Sequence, residues 1–438
     1  MRYNKLFFLL LNLLLASECF SQTFDKEKLD EYLQVMKAND KFMGNVLVYQ
    51  HGKKVYSHAI GFSNLEAGTK ADDQTMYRIG SISKTITATL ILKGIEEGKI
   101  NFSDNIKTFF PSIEHADRIT INHLLNHHSG IHNFTGGNFV NWNTQPKSRH
   151  DLIDSIAKGG SDFPPGTKAS YSNSNYVLLS FILEDIYHKS YGEILYSKIV
   201  RPLHLTHFQF GDKMVDPKSK ALSYNFVAGW SVATETNLSI PMGAGAIVSS
   251  ADDLAKVLEA IFHGKIISKQ MLTKMEEQSD EFGSGIFKKS MLEKTTYTHD
   301  GAIDGFNSYY YYFPQDELLY VLLSNAENYQ LETVNESILS IVFDKPIDLP
   351  KFNRYRITED LQQYSGTYTS EHNPLVIDIS VKNNFLLAQP HGQKIYTMEA
   401  TDKDKFFHEK TGVTLDFIPA KKQMVMKQGQ QNLLFIKQ

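Results

Sequence analysis

Cysteine is nearly absent from this chain of 438 residues: Cys19 is the only one. A disulfide framework is therefore excluded, because a bridge within the chain needs a second thiol. A strong charge of either sign is absent too, since 45 Lys and Arg face 49 Asp and Glu, a net charge of −4 at pH 7. With no basic patch, a nucleic-acid partner is not expected. Repeats and low-complexity tracts are also missing.

Long hydrophobic runs are lacking as well. The apolar stretch from Leu6 to Leu15, interrupted by Asn12, is too short to span a bilayer. It follows the basic residues Arg2 and Lys5 and precedes small residues, so we predict a cleaved signal peptide over residues 1–21 and a protein exported to the periplasm or secreted. A lipoprotein anchor at Cys19 is the less favoured alternative, because Glu18 fits poorly before a lipid-modified cysteine.

Motifs for metals and nucleotides are weak. A zinc-dependent hydrolase is an alternative that uses a histidine cluster, but no His-Glu-x-x-His is present, and Ser129-Gly130 is expected to break the helix within it. The cluster comprises His123, His127, His128 and His132. We expect His127 to be a buried structural residue and the other three to be exposed. Gly243-Ala-Gly245 follows Pro241 and lacks a third glycine, which favours a tight backbone approach over a dinucleotide loop. No metal and no cofactor is predicted.

The most informative stretch is Ser81-Ile82-Ser83-Lys84. It follows Gly80 and begins an amphipathic run, so the serine and the lysine are predicted to lie on one face at the start of a helix. A serine hydroxyl needs a base to remove its proton, and a lysine serves only if its pKa falls well below about 10.4. Burial under a second domain is expected to lower it.

The same spacing recurs in Ser155-Ile-Ala-Lys158. That match lies in the middle of a predicted helix, with no turn to expose the serine hydroxyl. What separates the two is the order of two motifs downstream of Ser81, namely Tyr171-Ser172-Asn173 and His299-Asp300-Gly301. A tyrosine two residues from an asparagine on a loop can direct a phenol at the nucleophile while the amide orients the substrate.

These motifs resemble those of the serine β-lactamase and penicillin-recognising D,D-peptidase family, in particular its class C-like branch with related esterases and D-aminopeptidases. The resemblance covers roughly residues 40–330 and includes further segments in the family's order: 44–48, 52–55, 76–81, 124–131, 163–166, 201–203 and 249–254. His128 stands where the family's Leu-Leu-x-His-Thr-Ser-Gly segment has threonine.

The resemblance implies roles for individual residues. Ser81 is then the acylated nucleophile, and Lys84 and Tyr171 share the proton transfers; which of the two is the base stays open. Asn173 is expected to hold the substrate amide. His299 and Gly301 are expected to contact the substrate, and the backbone N–H groups of Ser81 and Ala302 to form the oxyanion hole.

His299 departs from the Lys-Thr-Gly of common β-lactamases. A lysine is a permanent cation for a substrate carboxylate, whereas a histidine with a pKa near about 6.5 is mostly neutral at pH 7. Asp300 adds a negative charge nearby. We therefore expect a D,D-peptidase, D-aminopeptidase or esterase rather than a strong β-lactamase.

The predicted fold class is α+β, of the β-lactamase/transpeptidase type. Five strands are expected to form one antiparallel sheet, with helices near residues 24–39 and 331–343 on one face and a mostly helical segment, about 104–290, opposite. The strands are 44–50, 54–61, 296–299, 307–313 and 318–325. The predicted domains are a hydrolase domain at 22–343, a linker at 344–360, where two prolines follow an apolar helix, and a small antiparallel β domain of barrel-like type at 361–438.

The predicted function is hydrolysis of D-alanyl peptides, β-lactams or small esters through an acyl-enzyme on Ser81. The main alternative is a penicillin- or peptidoglycan-binding sensor that is acylated without turnover. The partner is a small-molecule or peptide substrate, and we expect a monomer with no transmembrane span.

Overall fold

A computed structural model describes residues 24–136, 142–211, 216, 218–352, 355, 357–358 and 360–438. The predicted signal peptide and Cys19 lie outside the described residues. Within those ranges no helix is long and apolar enough to cross a membrane.

Among the described residues, helices and strands are mixed as far as Val342, and the rest has strands and short 3-10 helices but no α-helix. The helices are α1 Lys26–Ala38, α2 Ser83–Glu96, α3 Ile121–Leu125, α4 Arg149–Gly159, α5 Asn173–Tyr187, α6 Tyr191–Leu195, α7 Ala251–Phe262, α8 Lys269–Glu276 and α9 Leu331–Val342. The strands are β1 Phe42–Gln50, β2 Lys53–Ile60, β3 Phe62–Asn64, β4 Thr69–Lys70, β5 Tyr77–Arg78, β6 Phe208–Phe210, β7 Tyr224–Phe226, β8 Trp230–Val232, β9 Ile247–Ser249, β10 Phe287–Met291, β11 Lys294–Ile303, β12 Phe306–Phe313, β13 Leu318–Glu327, β14 Gly366–Thr369, β15 Val376–Lys382, β16 Phe385–Pro390, β17 Tyr396–Asp402, β18 Lys405–His408, β19 Val413–Ile418, β20 Gln423–Gln428 and β21 Gln431–Lys437.

The main sheet has the strand order β10-β11-β12-β13-β1-β2, with antiparallel neighbours, and the hairpin β7–β8 joins it through β13. All five predicted strands belong to this sheet. Its two faces are buried differently: α1 and α9 cover one face with one apolar cluster, and a larger cluster that includes α2, α5 and α7 covers the other. The predicted fold class is confirmed.

The predicted helical segment also contains strands. β10 was expected to lie within it, but it forms the edge of the main sheet, where Lys288 and Lys289 are exposed. Charged residues are common on edge strands because they discourage pairing with other chains. β6, β7, β8 and β9 have three residues each, which is too short for an alternating pattern to be visible in the sequence.

The C-terminal strands β14 to β21 close into an eight-stranded barrel. Alternating apolar and polar residues in this part of the sequence predict six strands, at 375–381, 385–389, 394–399, 413–418, 423–427 and 433–437. These correspond to β15, β16, β17, β19, β20 and β21, and the four-residue strands β14 and β18 are missed. The interior holds an aromatic cluster in which the Tyr364 ring packs against Phe417 at 4.7 Å and against Phe406 at 5.3 Å. This domain therefore has a hydrophobic core of its own. The proposed linker bounds, 344 and 360, stay a prediction.

Candidate active site

Ser81 lies on a tight turn, the 3-10 helix Gly80–Ile82, which leads directly into α2. Gly80 has a φ of +49°, and a Cβ there would lie 2.8 Å from the backbone N of Ala302. Only glycine combines this left-handed conformation with so close an approach of β11. The glycine before the nucleophile thus lets strand and turn meet.

Lys84 lies one turn after Ser81, with its side chain fully buried. Its Nζ is 2.9 Å from Ser81 Oγ and 2.8 Å from the Ala244 carbonyl oxygen, and both contacts are hydrogen bonds. Burial holds the pKa of Lys84 well below its usual value, although the charge of Asp300 opposes the shift. A neutral amine is therefore available beside the hydroxyl.

Tyr171 precedes α5 and completes the arrangement from the mostly helical segment of the same domain. Lys84 Nζ lies 4.8 Å from the centre of its ring. Burial raises the pKa of Tyr171, so the phenol keeps its proton at neutral pH. The structure thus brings Ser81, Lys84 and Tyr171 together.

His127 positions the Tyr171 loop. Its Nδ1 accepts a hydrogen bond from the backbone N–H of Ser172 at 3.1 Å, and its ring lies 4.6 Å from the ring of Tyr171. Burial, followed by the nearby charge of Lys84, lowers the pKa of His127 well below its usual value. As an uncharged ring it accepts through Nδ1 and carries its proton on Nε2. The expected buried structural role of His127 is therefore consistent with its contacts.

The motif 299–301 lies on β11, the strand that passes the nucleophile. β10 pairs with β11 only as far as Thr298, so the next residues face the Ser81 turn instead. A Cβ at Gly301 would lie 2.2 Å from the Ile79 carbonyl oxygen and 2.9 Å from Ser81 N. Ala302 follows at the cavity wall. This close approach brings the backbone of Ala302 next to Ser81, as an oxyanion hole requires.

His299 has a different environment from the one expected of a substrate ligand. It is 2% exposed, its Nδ1 is 2.6 Å from the Asp300 carbonyl oxygen, and its ring lies 4.7 Å from that of Phe287. Burial lowers the pKa of His299 to about 3, so it is neutral at pH 7. Neither His299 nor Gly301 lines the cavity. Their contact with substrate stays a prediction.

A cavity of about 580 Å³ opens at Ser81. Asn173, the first residue of α5, lies on its wall, with its side-chain amide donating to Thr135 Oγ1 at 2.8 Å. The cavity is lined by Gly80, Ser81, Thr135, Asn143, Asn173, Asn225, Ala233, Thr234, Thr236, Pro241, Ala244, Gly245, Ala302, Ile303, Asp304 and Lys394.

Sequence reasoning missed a buried ion-pair network on this wall. Arg78 donates to the Thr236 carbonyl oxygen at 2.7 Å, to Asp304 at 2.8 Å and to Glu235 at 2.8 Å. Asp304 also accepts from the backbone N–H of Thr236 at 2.9 Å and from its hydroxyl at 2.7 Å. The network holds the loop around Thr236 against the end of β11. The residues of this network are far apart in sequence, so no local sequence pattern predicts it.

Comparison with known proteins places this architecture. A family model described as Beta-lactamase matches residues 34–341, which is more than half of the chain. The chain belongs to the beta-lactamase family. Its members include serine hydrolases, and this chain is one.

Individual members of the beta-lactamase family give finer comparisons. The chain is 30% identical over 311 residues to the teichoic acid D-alanine hydrolase of Staphylococcus aureus strain MRSA252, covering 69% of this chain and 74% of that protein. The structure of FmtA from Staphylococcus aureus matches at 27% identity and a TM-score of 0.63, over 74% of this chain and 88% of that one. The octameric penicillin-binding protein homologue from Pyrococcus abyssi matches in fold at 23% identity and a TM-score of 0.66, over 94% of this chain and 100% of that one.

The second Ser-x-x-Lys of this beta-lactamase family member lies elsewhere. Ser155 and Lys158 are within α4, which begins after its N-cap Ser148, and Lys158 is exposed. Among the contacts of the described residues, no hydrogen bond joins their side chains. Helix α4 buries Leu152 and Ile156 instead, so it packs through its apolar face.

The histidine cluster also differs from its expected arrangement. His128 was expected to be exposed, but it is buried, with its Nε2 3.0 Å from a carboxylate oxygen of Asp280. The segment that places His127 under Tyr171 is buried, and His128, the next residue, is buried with it. In the described ranges, no group of three or more His, Cys, Asp or Glu side chains is arranged to hold a metal ion.

The backbone at Gly243 does approach its neighbours closely, but these neighbours are side chains of α2 and α5. A Cβ at this position would lie 2.8 Å from Ser180 Cβ and 2.8 Å from Thr87 Oγ1. Thr87 Oγ1 also donates to the Gly243 carbonyl oxygen at 2.7 Å. The glycine therefore lets the segment before β9 pack on α2 and α5, with Ala244 in reach of Lys84.

Proposed function

We propose that this protein is an exported hydrolase that removes D-alanine from D-alanyl esters or amides through an acyl-enzyme on Ser81. The observation that carries the proposal is the hydrogen bond between Lys84 Nζ and Ser81 Oγ, with the lysine buried and its pKa lowered. The S. aureus relative, named as a teichoic acid D-alanine hydrolase, supports the choice of D-alanyl substrates.

In the acylation step, Ser81 Oγ attacks the substrate carbonyl carbon while its proton passes to Lys84 Nζ. Lys84 is the better base because burial favours its neutral form, whereas burial keeps Tyr171 protonated. The carbonyl oxygen becomes an oxyanion, which the N–H groups of Ser81 and Ala302 stabilise; losing one such donor typically costs about 3 kcal/mol. The intermediate then collapses to a D-alanyl ester of Ser81, and the leaving oxygen or nitrogen takes a proton from the Lys84–Tyr171 pair.

In the deacylation step, water attacks the D-alanyl ester. Lys84, neutral again, accepts a proton from the water, and Ser81 Oγ recovers one as D-alanine leaves. Asn173 on the cavity wall contributes an amide for the substrate. The enzyme then returns to its starting state.

The third motif favours esters and neutral amides over β-lactams. His299 is buried and neutral at pH 7, so it provides no permanent cation for a carboxylate beside the scissile bond. The electrostatic attraction that a lysine offers a β-lactam carboxylate is absent from this position.

Turnover of a substrate panel tests the proposal. Purified protein lacking residues 1–21 should release D-alanine continuously from D-alanyl glycerol ester and D-alaninamide, more slowly open a penicillin, and lose release in Ser81→Ala. A stoichiometric burst without further release would support the binding sensor instead. Activity abolished by a chelator and restored by zinc would support the metal-dependent alternative.

Export and a monomeric state belong to the same proposal. Residues 1–21 provide the export signal, and processing after Ser21 removes Cys19. N-terminal sequencing of the protein recovered outside the cytoplasm should begin at Gln22, and light scattering should give the mass of one chain. Lipid attached to Cys19 would contradict the first expectation.

A further inference from the structure

The substrate cavity is not built by the hydrolase domain alone. Lys394, which belongs to the C-terminal barrel, lies on its wall together with Asn225 and Thr234 of the hydrolase domain. Lys394 is exposed and lies just before β17. A residue more than 300 positions from Ser81 thus borders the same space.

The turn that carries Lys394 has a defined geometry. Gly392 has a φ of +74°, and the N–H of Gln393 donates to the Pro390 carbonyl oxygen at 3.0 Å, closing the turn between β16 and β17. The N–H of His391 donates to the Val376 carbonyl oxygen at 2.9 Å. These bonds fix the path of the backbone up to Lys394.

The barrel is docked on the hairpin that forms the cavity wall. Ala228, at the tip of the β7–β8 hairpin, donates its N–H to Thr397 Oγ1 at 2.9 Å and accepts from Asn383 Nδ2 at 3.1 Å. The rings of Phe226 and Phe385 pack edge to face at 5.9 Å. Because Asn225 of this hairpin lines the cavity, the docking contact and the cavity wall belong to one element.

A second, buried contact fixes the orientation of the barrel. Lys41 is fully buried, and its Nζ donates to Glu399 Oε1 at 2.6 Å. Asn328 Nδ2 donates to the same oxygen at 3.2 Å. Glu399 lies on β17, five residues after Lys394, so the strand is held at two points, here and at Thr397.

The charged residues on the cavity wall leave the Lys394 ammonium available to bind an anionic group. Among the described residues that line it, only Asp304 and Lys394 are ionisable. Both carboxylate oxygens of Asp304 are engaged, one by Arg78 and one by Thr236, and its side chain is 3% exposed. The cavity wall includes Ala302, Ile303 and Asp304 but not His299, so the cavity extends from Ser81 past the C-terminal end of β11, just beyond the third motif.

We infer that Lys394 makes the barrel part of the substrate site, where its ammonium binds a phosphate group carried by the D-alanylated substrate. The inference rests on the proposed hydrolysis of D-alanyl compounds. A lysine binds phosphate as a compact point charge. The amide of Asn225 and the hydroxyl of Thr234 on the same wall add hydrogen-bond donors that a phosphate accepts.

A matched pair of substrates tests this inference. D-alanyl glycerol and D-alanyl glycerol phosphate differ only by the phosphate, so the ratio of their kcat/KM values measures its recognition. The wild type should prefer the phosphate ester, and Lys394→Gln should reduce the preference roughly fivefold, the size expected of one partly exposed ion pair. Lys421→Gln, which removes an exposed barrel lysine outside the cavity, should keep the wild-type ratio.

Binding provides a readout that does not need turnover. Calorimetry with the Ser81→Ala protein should show glycerol phosphate binding more tightly than glycerol, and the difference should shrink in Ser81→Ala/Lys394→Gln and in high salt. An equal preference in the Lys394→Gln and wild-type proteins would overturn the inference. A wild type that hydrolyses neither ester but still binds glycerol phosphate through Lys394 would overturn only the proposed function. An equal or stronger Lys394-dependent preference for the D-alanyl ester of glyceric acid would overturn the assignment to phosphate.

Discussion

Ser81-Ile-Ser-Lys84 and Ser155-Ile-Ala-Lys158 have the same residue spacing in different surroundings. Lys84 is fully buried, hydrogen-bonded to Ser81 and to Ala244, and covered by Tyr171. Lys158 is exposed near the end of a helix. The difference teaches that spacing only permits contact between the two side chains. A lysine becomes a base when residues distant in sequence remove it from water.

Removing each serine gives the largest expected contrast. Ser81→Ala should lower turnover roughly 10⁴-fold or more, the scale for loss of a catalytic nucleophile, because it removes the hydroxyl that is hydrogen-bonded to Lys84 Nζ. Ser155→Ala should leave turnover within about twofold, as for a surface substitution without a site contact. Labelling with a fluorescent fluorophosphonate checks both. Labelling that persists in Ser81→Ala and disappears in Ser155→Ala would reverse the assignment.

Removing each lysine separates the buried amine from the exposed one. Lys84→Met should slow acylation by roughly 10²- to 10⁴-fold, the usual contribution of a positioned general base. Lys158→Met should leave the rate unchanged. The measurement is the rate of fluorophosphonate labelling, with thermal unfolding as the control that the Lys84→Met protein is folded. An equally small effect of both substitutions would favour Tyr171 as the base.

The close approach of β11 to the Ser81 turn can be tested by substitution, with a smaller expected effect on turnover. In Gly301→Ala the new Cβ meets the Ile79 carbonyl oxygen at 2.2 Å, so strand and turn must separate. We expect turnover to fall roughly 10²-fold, because shifts of about 1 Å at a catalytic site have effects of this size. Gly136→Ala, whose Cβ would meet nothing closer than 3.5 Å, is the matched control. Equal activity of the two variants would contradict the role of this contact.

The pH profile tests the protonation state of Lys84. Its neutral form accepts the serine proton, so the acylation rate should rise about tenfold per pH unit below the pKa of Lys84 and level off above it. Since burial lowers that pKa, the plateau should begin well below about pH 10, the region of an ordinary lysine. Labelling rates between pH 5 and 11 measure this, and a rate that still rises at about pH 10 would show an unshifted lysine.

Much of the fold was predictable because the relevant signals are local. The predicted strands 44–50 and 54–61 correspond to β1 and β2, the predicted helices near 24–39 and 331–343 to α1 and α9, and most of the barrel strands were predicted as well. The short strands β6 to β9 were missed because three residues carry no period, and β10 because Lys288 and Lys289 conceal its pairing. The expectation that His128 is exposed was wrong, because its burial depends on how the segment packs under Tyr171, which the local sequence does not show.

The sequence by itself determined the family, the fold class, and the candidate residues in their order along the chain, because motif spacing and hydrophobic periodicity are local properties. Only the tertiary structure decided which of two identical spacings is buried beside Tyr171, that His299 faces a packed interior, and that Lys394 of the barrel borders the cavity. Burial and the meeting of distant segments determine these features, since pKa values and pocket walls depend on neighbours that the sequence does not place next to one another.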